Sequence, residues 1–140
     1  MGFFEETASL THAGTMAMLT AGIAAAEDMG QPQCIVIVDV SGELLGEIRM
    51  SGAKFLSRKS ARAKALTAAS IRGASTNIPD AVRPAIGAAT EGNVTGLPGG
   101  LPIIVDGQCL GGVGVGSGSG DQDIAVANAM LAAIGAEPFA

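Results

Sequence analysis

The chain is predicted to be an α+β domain, because its apolar segments pair into hairpins and alternate with helical patterns. Two pairs of β-branched, apolar segments are each joined by a short turn that contains Gly next to Asp or Ser. Helical patterns precede, separate and follow these pairs, which gives the element order α-ββ-αα-ββ-α. Strands joined by hairpins pair antiparallel, so a doubly wound parallel sheet is disfavoured.

Both hairpins are indicated by their turns as well as by their strands. Residues 33–40 form a nearly continuous apolar run, typical of a central strand, and residues 43–50 carry charges that face polar surroundings. The second hairpin consists of residues 101–106 and 108–115. It is closed by Asp106-Gly107, a dipeptide that favours a type I′ turn.

Four helical segments are predicted around these hairpins. The first spans residues 11–29 with Thr11 as its N-cap, and a short arm, residues 1–9, precedes it. The others span residues 57–72, 77–90 (broken near Pro84) and 121–134. The buried stripe of the first helix is predicted to be Ala13, Met16, Ala17, Thr20, Ile23 and Ala24.

The composition indicates one domain with an apolar surface. A length of 140 residues is that of a single domain, here residues 1–140. The chain is 48% hydrophobic and 15% charged, and its mean hydropathy is +0.43. So little charge leaves part of a small domain's surface apolar, and contiguous apolar surface marks interfaces. We therefore expect a homo-oligomer.

The charge and the cysteines exclude several classes of partner. The net charge is −5 with eight basic residues, so binding to nucleic acid or to an anionic membrane is not expected. No apolar run has the length of a membrane helix, and the N-terminus lacks a signal peptide's basic region, which predicts a cytoplasmic protein. Cys34 and Cys109 are expected to be free, buried thiols. Since His12 is the single histidine, no metal site is predicted.

Residues 97–123 carry the most informative pattern: a Pro- and Gly-rich bend, a hairpin, a glycine loop and an acidic helix start. The glycines of residues 111–120 match neither the dinucleotide-binding pattern nor the P-loop. Two interpretations stay open, a flexible strand-to-helix turn or a cradle of backbone N–H groups for an anion. Asp121 and Asp123 already place negative charge at that helix end. The bend at Gly99-Gly100 is either a rigid start to the strand or a point where a ligand approaches the backbone closely.

Most of the positive charge lies in one part of the chain. Six of the eight basic residues fall between positions 49 and 64: Arg49, Lys54, Arg58, Lys59, Arg62 and Lys64. They form either a solvated helix face or a pocket for an acidic small molecule, in which Arg49 binds a carboxylate through two hydrogen bonds. Asp39, at the end of an apolar strand, either caps the following turn or acts as a general base.

Four blocks of this sequence resemble one family. They are IVIVDVSGELLGEIRMSGA, RAKALTAA, LPGGLPIIVDG and LGGVGVGSGSGDQD, in that order within residues 19–134. Their combination is similar to the GlcG/HbpS-like family, also called the haem-degrading or DUF336 family. The resemblance implies a profilin-like fold, with a five-stranded antiparallel sheet flanked by helices, and assembly into dimers or octamers. Members of that family include haem-binding proteins and domains fused to corrinoid adenosyltransferases.

Residues and resemblance together predict an oligomeric protein that binds an anionic small molecule, with haem or a related tetrapyrrole as the candidate ligand. The pocket is expected at the edge of the sheet, shared between subunits. Its ligand-binding residues are predicted to be Arg49, Lys64, Gly99, Gly100, Gly116, Gly118 and Gln122.

Two alternatives stay open. In the first, the chain is an enzyme without a cofactor that acts by proton transfer on an anionic substrate, as an isomerase, decarboxylase or lyase does. Asp39 or Asp123 then serves as the catalytic base, while Arg49 or Lys64 holds the substrate. In the second, the chain is a structural or accessory subunit whose apolar surface serves a partner.

Overall fold

The computed structural model describes residues 2–139, which form four α-helices and one β-sheet. In chain order the elements are α1 (His12–Asp28), β1 (Cys34–Asp39), β2 (Leu44–Arg49), α2 (Ser57–Ile71), α3 (Arg83–Ala89), β3 (Gly100–Val105), β4 (Gln108–Gly116) and α4 (Gly120–Ala132). Two single 3₁₀ turns, Ser75–Asn77 and Asp80–Val82, connect α2 to α3. The strands pair antiparallel in the order β2-β1-β4-β3.

The α+β class, the antiparallel pairing and the element order are confirmed, but the expectation of a fifth strand is wrong. Within the described residues the sheet has four strands, two from each hairpin. The segment that joins α3 to β3, residues 90–99, contains three glycines and a proline and forms turns. Such a segment neither keeps an extended backbone nor donates a full ladder of hydrogen bonds. The apolar first strand, β1, is central as predicted.

Local turn and cap signals act as the sequence predicts. Asp106 and Gly107 have φ angles of 51° and 76° and close β3 onto β4 with Val105 opposite Gln108. Positive φ at both positions is the requirement of a type I′ turn. At the start of α1, the Thr11 hydroxyl accepts a hydrogen bond from the Gly14 N–H at 3.1 Å. Pro84 lies in the first turn of α3, so this helix is shorter than expected, because proline starts a helix more readily than it continues one.

The predicted stripe of α1 is wrong by two positions along the helix. The buried residues are Thr15, Met18, Gly22 and Ala26, whereas Met16 is 59% exposed. Gly22 determines which face of α1 is turned towards the sheet, because a Cβ on it would come within 2.9 Å of both Ile35 and Met130. A glycine contributes nothing to an apolar pattern, although it allows the closest packing of α1 against the sheet and α4.

The sheet separates two cores of different character. On one side α1 and α4 cover large side chains, among them Met18, Ile35, Ile37, Leu101, Ile103, Val113, Val115, Met130 and Leu131. On the other side α2 covers Cys34, Val36 and Val38, and its own contribution is almost entirely alanine: Ala61, Ala65 and Ala69. The second core is therefore thin, and α2 lies unusually close to the strands.

Glycines on β4 make that close approach possible. Gly112, Gly114 and Gly116 alternate along the face of β4 that α2 covers. A Cβ on Gly114 would overlap the carbonyl oxygen of Ala61, and a Cβ on Gly112 would overlap that of Ala65. These three positions, the glycine face of β4, let the helix backbone rest on the strand backbone.

A methyl group on the glycine face is expected to destabilise the fold. Gly114→Ala forces α2 away from β4, which opens the thin core along its whole length. We expect the free energy of unfolding to fall by about 3 kcal/mol, the upper range for overpacking, in urea denaturation.

Gly87→Ala is the matched control for this substitution. Gly87 lies inside α3, and a Cβ there would find its nearest atom, the Val94 carbonyl oxygen, at 3.7 Å. Because alanine favours helix, this variant should gain about 0.5–1 kcal/mol. Equal stability of the two variants would contradict close backbone packing at Gly114.

Candidate functional site

A buried ion pair joins three elements at one end of the sheet. Lys64, from the middle of α2, places its Nζ 3.0 Å from Oδ2 of Asp123 in the first turn of α4. The two side chains are 5% and 4% exposed. Lys64 Nζ also donates to the carbonyl oxygen of Val115 at 2.7 Å, and Asp123 Oδ1 accepts from the Gly118 N–H at 3.1 Å. The pair therefore ties α2 to the end of β4 and to the start of α4.

Two neighbouring glycines, Gly99 and Gly100, lie close to this ion pair and have different roles. Gly99 has a φ of 114°, and a Cβ on it would lie 2.8 Å from Asp123 Cβ and 3.3 Å from Lys64 Nζ. Gly100 instead lies under α2, where a Cβ would overlap the Lys64 carbonyl oxygen. Gly99 thus borders the charged groups, whereas Gly100 supports helix packing.

The loop that follows β4 holds Ser117 in a conformation that non-glycine residues avoid. Its φ is 95°. The Ser117 hydroxyl accepts from the Lys54 N–H at 3.0 Å, and its carbonyl oxygen accepts from Gln31 Nε2 at 3.3 Å. Such backbone strain persists only where surrounding contacts fix it, and it concentrates at functional sites.

Gln33 adds an unusual buried amide to this end of the sheet. The residue is fully buried, and neither its Nε2 nor its Oε1 has a hydrogen-bond partner within residues 2–139. A Cβ on Gly118 would lie 2.6 Å from Gln33 Nε2, and 2.9 Å from both Asp123 Oδ1 and Gln122 Oε1. Gly118 therefore leaves room for three polar side chains to meet behind the loop.

A small cavity opens beside the ion pair. Its volume is about 260 Å³, and it is lined by Lys54, Ser57, Ser60, Lys64, Leu97, Pro98, Ser117, Gly118, Gly120 and Asp123. Lys64, Gly118 and Asp123 of the predicted site meet in this one place. Gly99 and Gly116 adjoin it, since Gly116 faces Ser57 and Ser60. We call it the Lys64 cavity.

Arg49 belongs to a different, larger depression on the other side of the Gln31–Gln33 segment. This groove, between the end of α1 and the end of β2, measures about 640 Å³ and is lined by Ile23, Ala26, Glu27, Gly30, Gln31, Pro32, Ile48, Arg49, Met50 and Ser51. Arg49 Nε donates to the Ala53 carbonyl oxygen at 3.1 Å, and the guanidinium lies 6.0 Å from the Phe55 ring centroid. We call it the α1–β2 groove.

Two other predicted site residues have structural partners. The Asp39 carboxylate makes two local hydrogen bonds: its Oδ1 accepts from the N–H groups of Ser41 at 2.8 Å and Glu43 at 3.0 Å. This carboxylate lies at the opposite end of β1 from the Lys64 cavity, because Asp39 pairs with Gly111. Gln122 forms a capping box with Ser119, which satisfies the start of α4.

The remaining reactive side chains lie apart from one another. Cys34 is buried, Cys109 is half-buried, and burial raises the pKa of the Cys34 thiol. Cys34 pairs with Gly116, seven positions along β4 from Cys109, so about 20 Å separates the thiols.

His12 is exposed at the start of α1, and residues 2–139 bring together no group of three potential metal ligands. Over the same range, no helix has the length and apolar character needed to cross a bilayer.

Sequence reasoning did not find Gln33, Ser117 or the serines of α2. One signal was available: Gln33 is a polar residue at the start of an otherwise apolar strand. The strain at Ser117 depends on contacts with Gln31 and Lys54, both far away in the chain, and no local pattern reports it.

Removing one member of the ion pair is expected to cost much more than removing both. Lys64→Met leaves the Asp123 carboxylate buried without its cation, and the free energy of unfolding should fall by about 3–5 kcal/mol. The double variant Lys64→Met/Asp123→Leu buries no charge and should recover most of that loss in urea denaturation. A double variant that loses the sum of the two single effects would contradict direct coupling of the charges.

Comparison with known proteins agrees with the fold at nearly full length. A sequence model of the family described as "Haem degrading protein HbpS-like" matches residues 10–132. The corrinoid adenosyltransferase PduO of Citrobacter freundii is 33% identical over 138 residues, which cover 94% of this chain. The chain spans only 38% of the length of PduO.

Solved structures give the same result. Klebsiella pneumoniae protein ORFY, assigned to DUF336, superposes with a TM-score of 0.91 at 26% identity and covers 96% of this chain and 97% of its own. The PduOC:haem complex gives a TM-score of 0.87 at 28% identity, over 95% of this chain and 100% of its own. The resemblance of the four sequence blocks is thereby confirmed, and the chain belongs to the family of HbpS-like haem degrading proteins.

Proposed function

We propose that this protein binds a haem-type tetrapyrrole in the α1–β2 groove and does so as a homo-oligomer. The observation that carries the proposal is the groove itself, which is lined by the apolar Ile23, Ala26 and Ile48 and by the charged Glu27 and Arg49. A volume of about 640 Å³ is typical of pockets for ligands of that size. The structural relative PduOC is known in complex with haem, which supports this ligand.

The residues present fit an amphipathic, anionic ring system. Arg49 Nε is already engaged by Ala53, and this fixes the guanidinium and leaves its two terminal amino groups for a carboxylate. Among the groove residues, Met50 supplies the one thioether, and none is a histidine. When bound, haem would supply an iron centre for redox or oxygen chemistry. The chain's own residues bury the ring's apolar faces and hold its propionates at the rim.

The edge strand β2 supports the oligomer. It is exposed along nearly its whole length, yet it carries Leu44, Leu45 and Ile48, which are 42%, 37% and 38% exposed. Leu45 is the extra residue of a bulge opposite β1, since Gly46 and Leu44 pair with consecutive residues. An apolar edge strand of this kind calls for a covering partner, and a second copy of the chain would also enclose the neighbouring groove.

Haem affinity is expected to depend on Arg49. Arg49→Gln removes a partly solvated contact with a propionate, which is worth about 1 kcal/mol, so the dissociation constant should rise about fivefold. Haemin titration, followed by the shift of the Soret band and its saturation, measures the effect.

Arg62→Gln is the matched control for the haem titration. It removes the same charge from an exposed position on α2, outside the α1–β2 groove. Unchanged haemin binding in Arg49→Gln, or equal losses in both variants, would count against a propionate contact at Arg49.

The oligomer is expected to depend on the exposed apolar residues of β2. Leu45→Glu introduces a charge at the proposed interface and should shift the protein towards monomer in size-exclusion chromatography with light scattering. Val82→Glu, at a 45% exposed position before α3, should leave the oligomer intact. A monomeric wild-type protein would overturn this part of the proposal.

A further inference from the structure

The Lys64 cavity carries more polar chemistry than the fold needs. A buried ion pair is costly to form from two solvated charges and stabilises a fold no better than apolar packing does. Here Lys64 and Asp123 are both almost fully buried, yet both line an open cavity. An ammonium has three hydrogens to donate, and residues 2–139 accept two of them, at Val115 and Asp123. The third is available to a bound molecule.

Gln33 provides a second, independent sign of a missing partner. Buried side-chain amides in native proteins are almost always hydrogen-bonded, and each exception needs an explanation. The Gln33 amide lies against Gly118, a lining residue of the cavity, and close to Asp123. Gln33 does not line the cavity itself but lies behind Gly118, so a molecule bound there is separated from the amide by the loop whose strained Ser117 is fixed by Lys54 and Gln31.

The charge and size of the cavity define the ligand class. The lining contains two ammonium groups, of Lys54 and Lys64, and one carboxylate, of Asp123, so it carries a net single positive charge. Hydroxyls of Ser57, Ser60 and Ser117 surround these groups and can pair with oxygen atoms. A volume of about 260 Å³ lies below the range of drug-sized ligands. A singly charged acid neutralises this lining, whereas a doubly charged phosphate leaves it with a net negative charge.

We propose that the Lys64 cavity is a second binding site, separate from the α1–β2 groove, for a small carboxylic acid that carries a hydroxyl or oxo group. The carboxylate pairs with Lys54 and with the remaining N–H of Lys64. The hydroxyl or oxo oxygen bonds the serine hydroxyls at the N-terminal end of α2. This site requires neither haem nor a second subunit.

Lactate is a suitable probe, and lactamide is its uncharged analogue of nearly the same shape. The full chain, without haem, is titrated with each while amide resonances are followed by two-dimensional NMR. Lactate should produce saturable shifts at Ser117, Gly118 and the Gln33 side-chain amide, with millimolar affinity. Lactamide should bind at least tenfold more weakly, because it lacks the charge.

Variants at partly or fully exposed positions keep the test free of folding defects. Lys54→Gln should weaken lactate binding about fivefold, as expected for a solvated ionic contact, and Ser60→Ala should weaken it in the same direction. Lys59→Gln removes the same charge outside the cavity and should have no effect. Arg49→Gln should also leave lactate binding unchanged, which separates this site from the α1–β2 groove.

Three results would overturn the proposal. Lactate that produces no saturable shifts shows that the cavity binds no such acid. If lactamide binds as tightly as lactate, the two ammonium groups contribute nothing to the affinity. Tighter binding of inorganic phosphate than of lactate shows that the site selects a different anion. None of these results bears on haem, so the two proposals fail or stand separately.

Discussion

The contact between α2 and the glycine face of β4 determines the position of nearly everything else at the functional end of the molecule. Alanines of the helix rest on Gly112 and Gly114 with no side chain between the two backbones. The close approach brings the middle of α2 level with the end of β4, where Lys64 reaches both Val115 and Asp123. A thicker layer of side chains would lift Lys64 away from α4 and leave Asp123 buried without a cation.

Much of the fold could be predicted because its signals are local. Asp106-Gly107 selects its turn type through backbone preferences alone, and Thr11 caps α1 through a contact three residues away. The prediction of the buried stripe of α1 failed because of Gly22, which adds nothing to an apolar pattern. This glycine fits the space beside Met130, which is more than 100 positions later in the chain. The prediction of a fifth strand failed because it came from a family resemblance, whereas the extended segments of the described residues form four strands.

The candidate site, too, could be predicted only in part from local sequence signals. The sequence placed Lys64, Gly118 and Asp123 among its functional residues, and the structure brings these three together. It could not show that Arg49 lies in a separate groove, because Arg49 and Lys64 are close in sequence while the Gln31–Gln33 segment lies between their surroundings. Nor could it reveal the unpartnered Gln33 amide, a property of three-dimensional packing.

The glycine-rich composition of β4 has a consequence for how this protein acquires its structure. Glycine gives an unfolded strand more conformational freedom than any other residue, and four of the nine residues of β4 are glycines. On the side that faces α2, such a strand has no side chains of its own to pack, so its order there depends on contact with the helix backbone. We therefore expect the central strand pair and α2 to open and close as one cooperative unit, although they are distant along the chain.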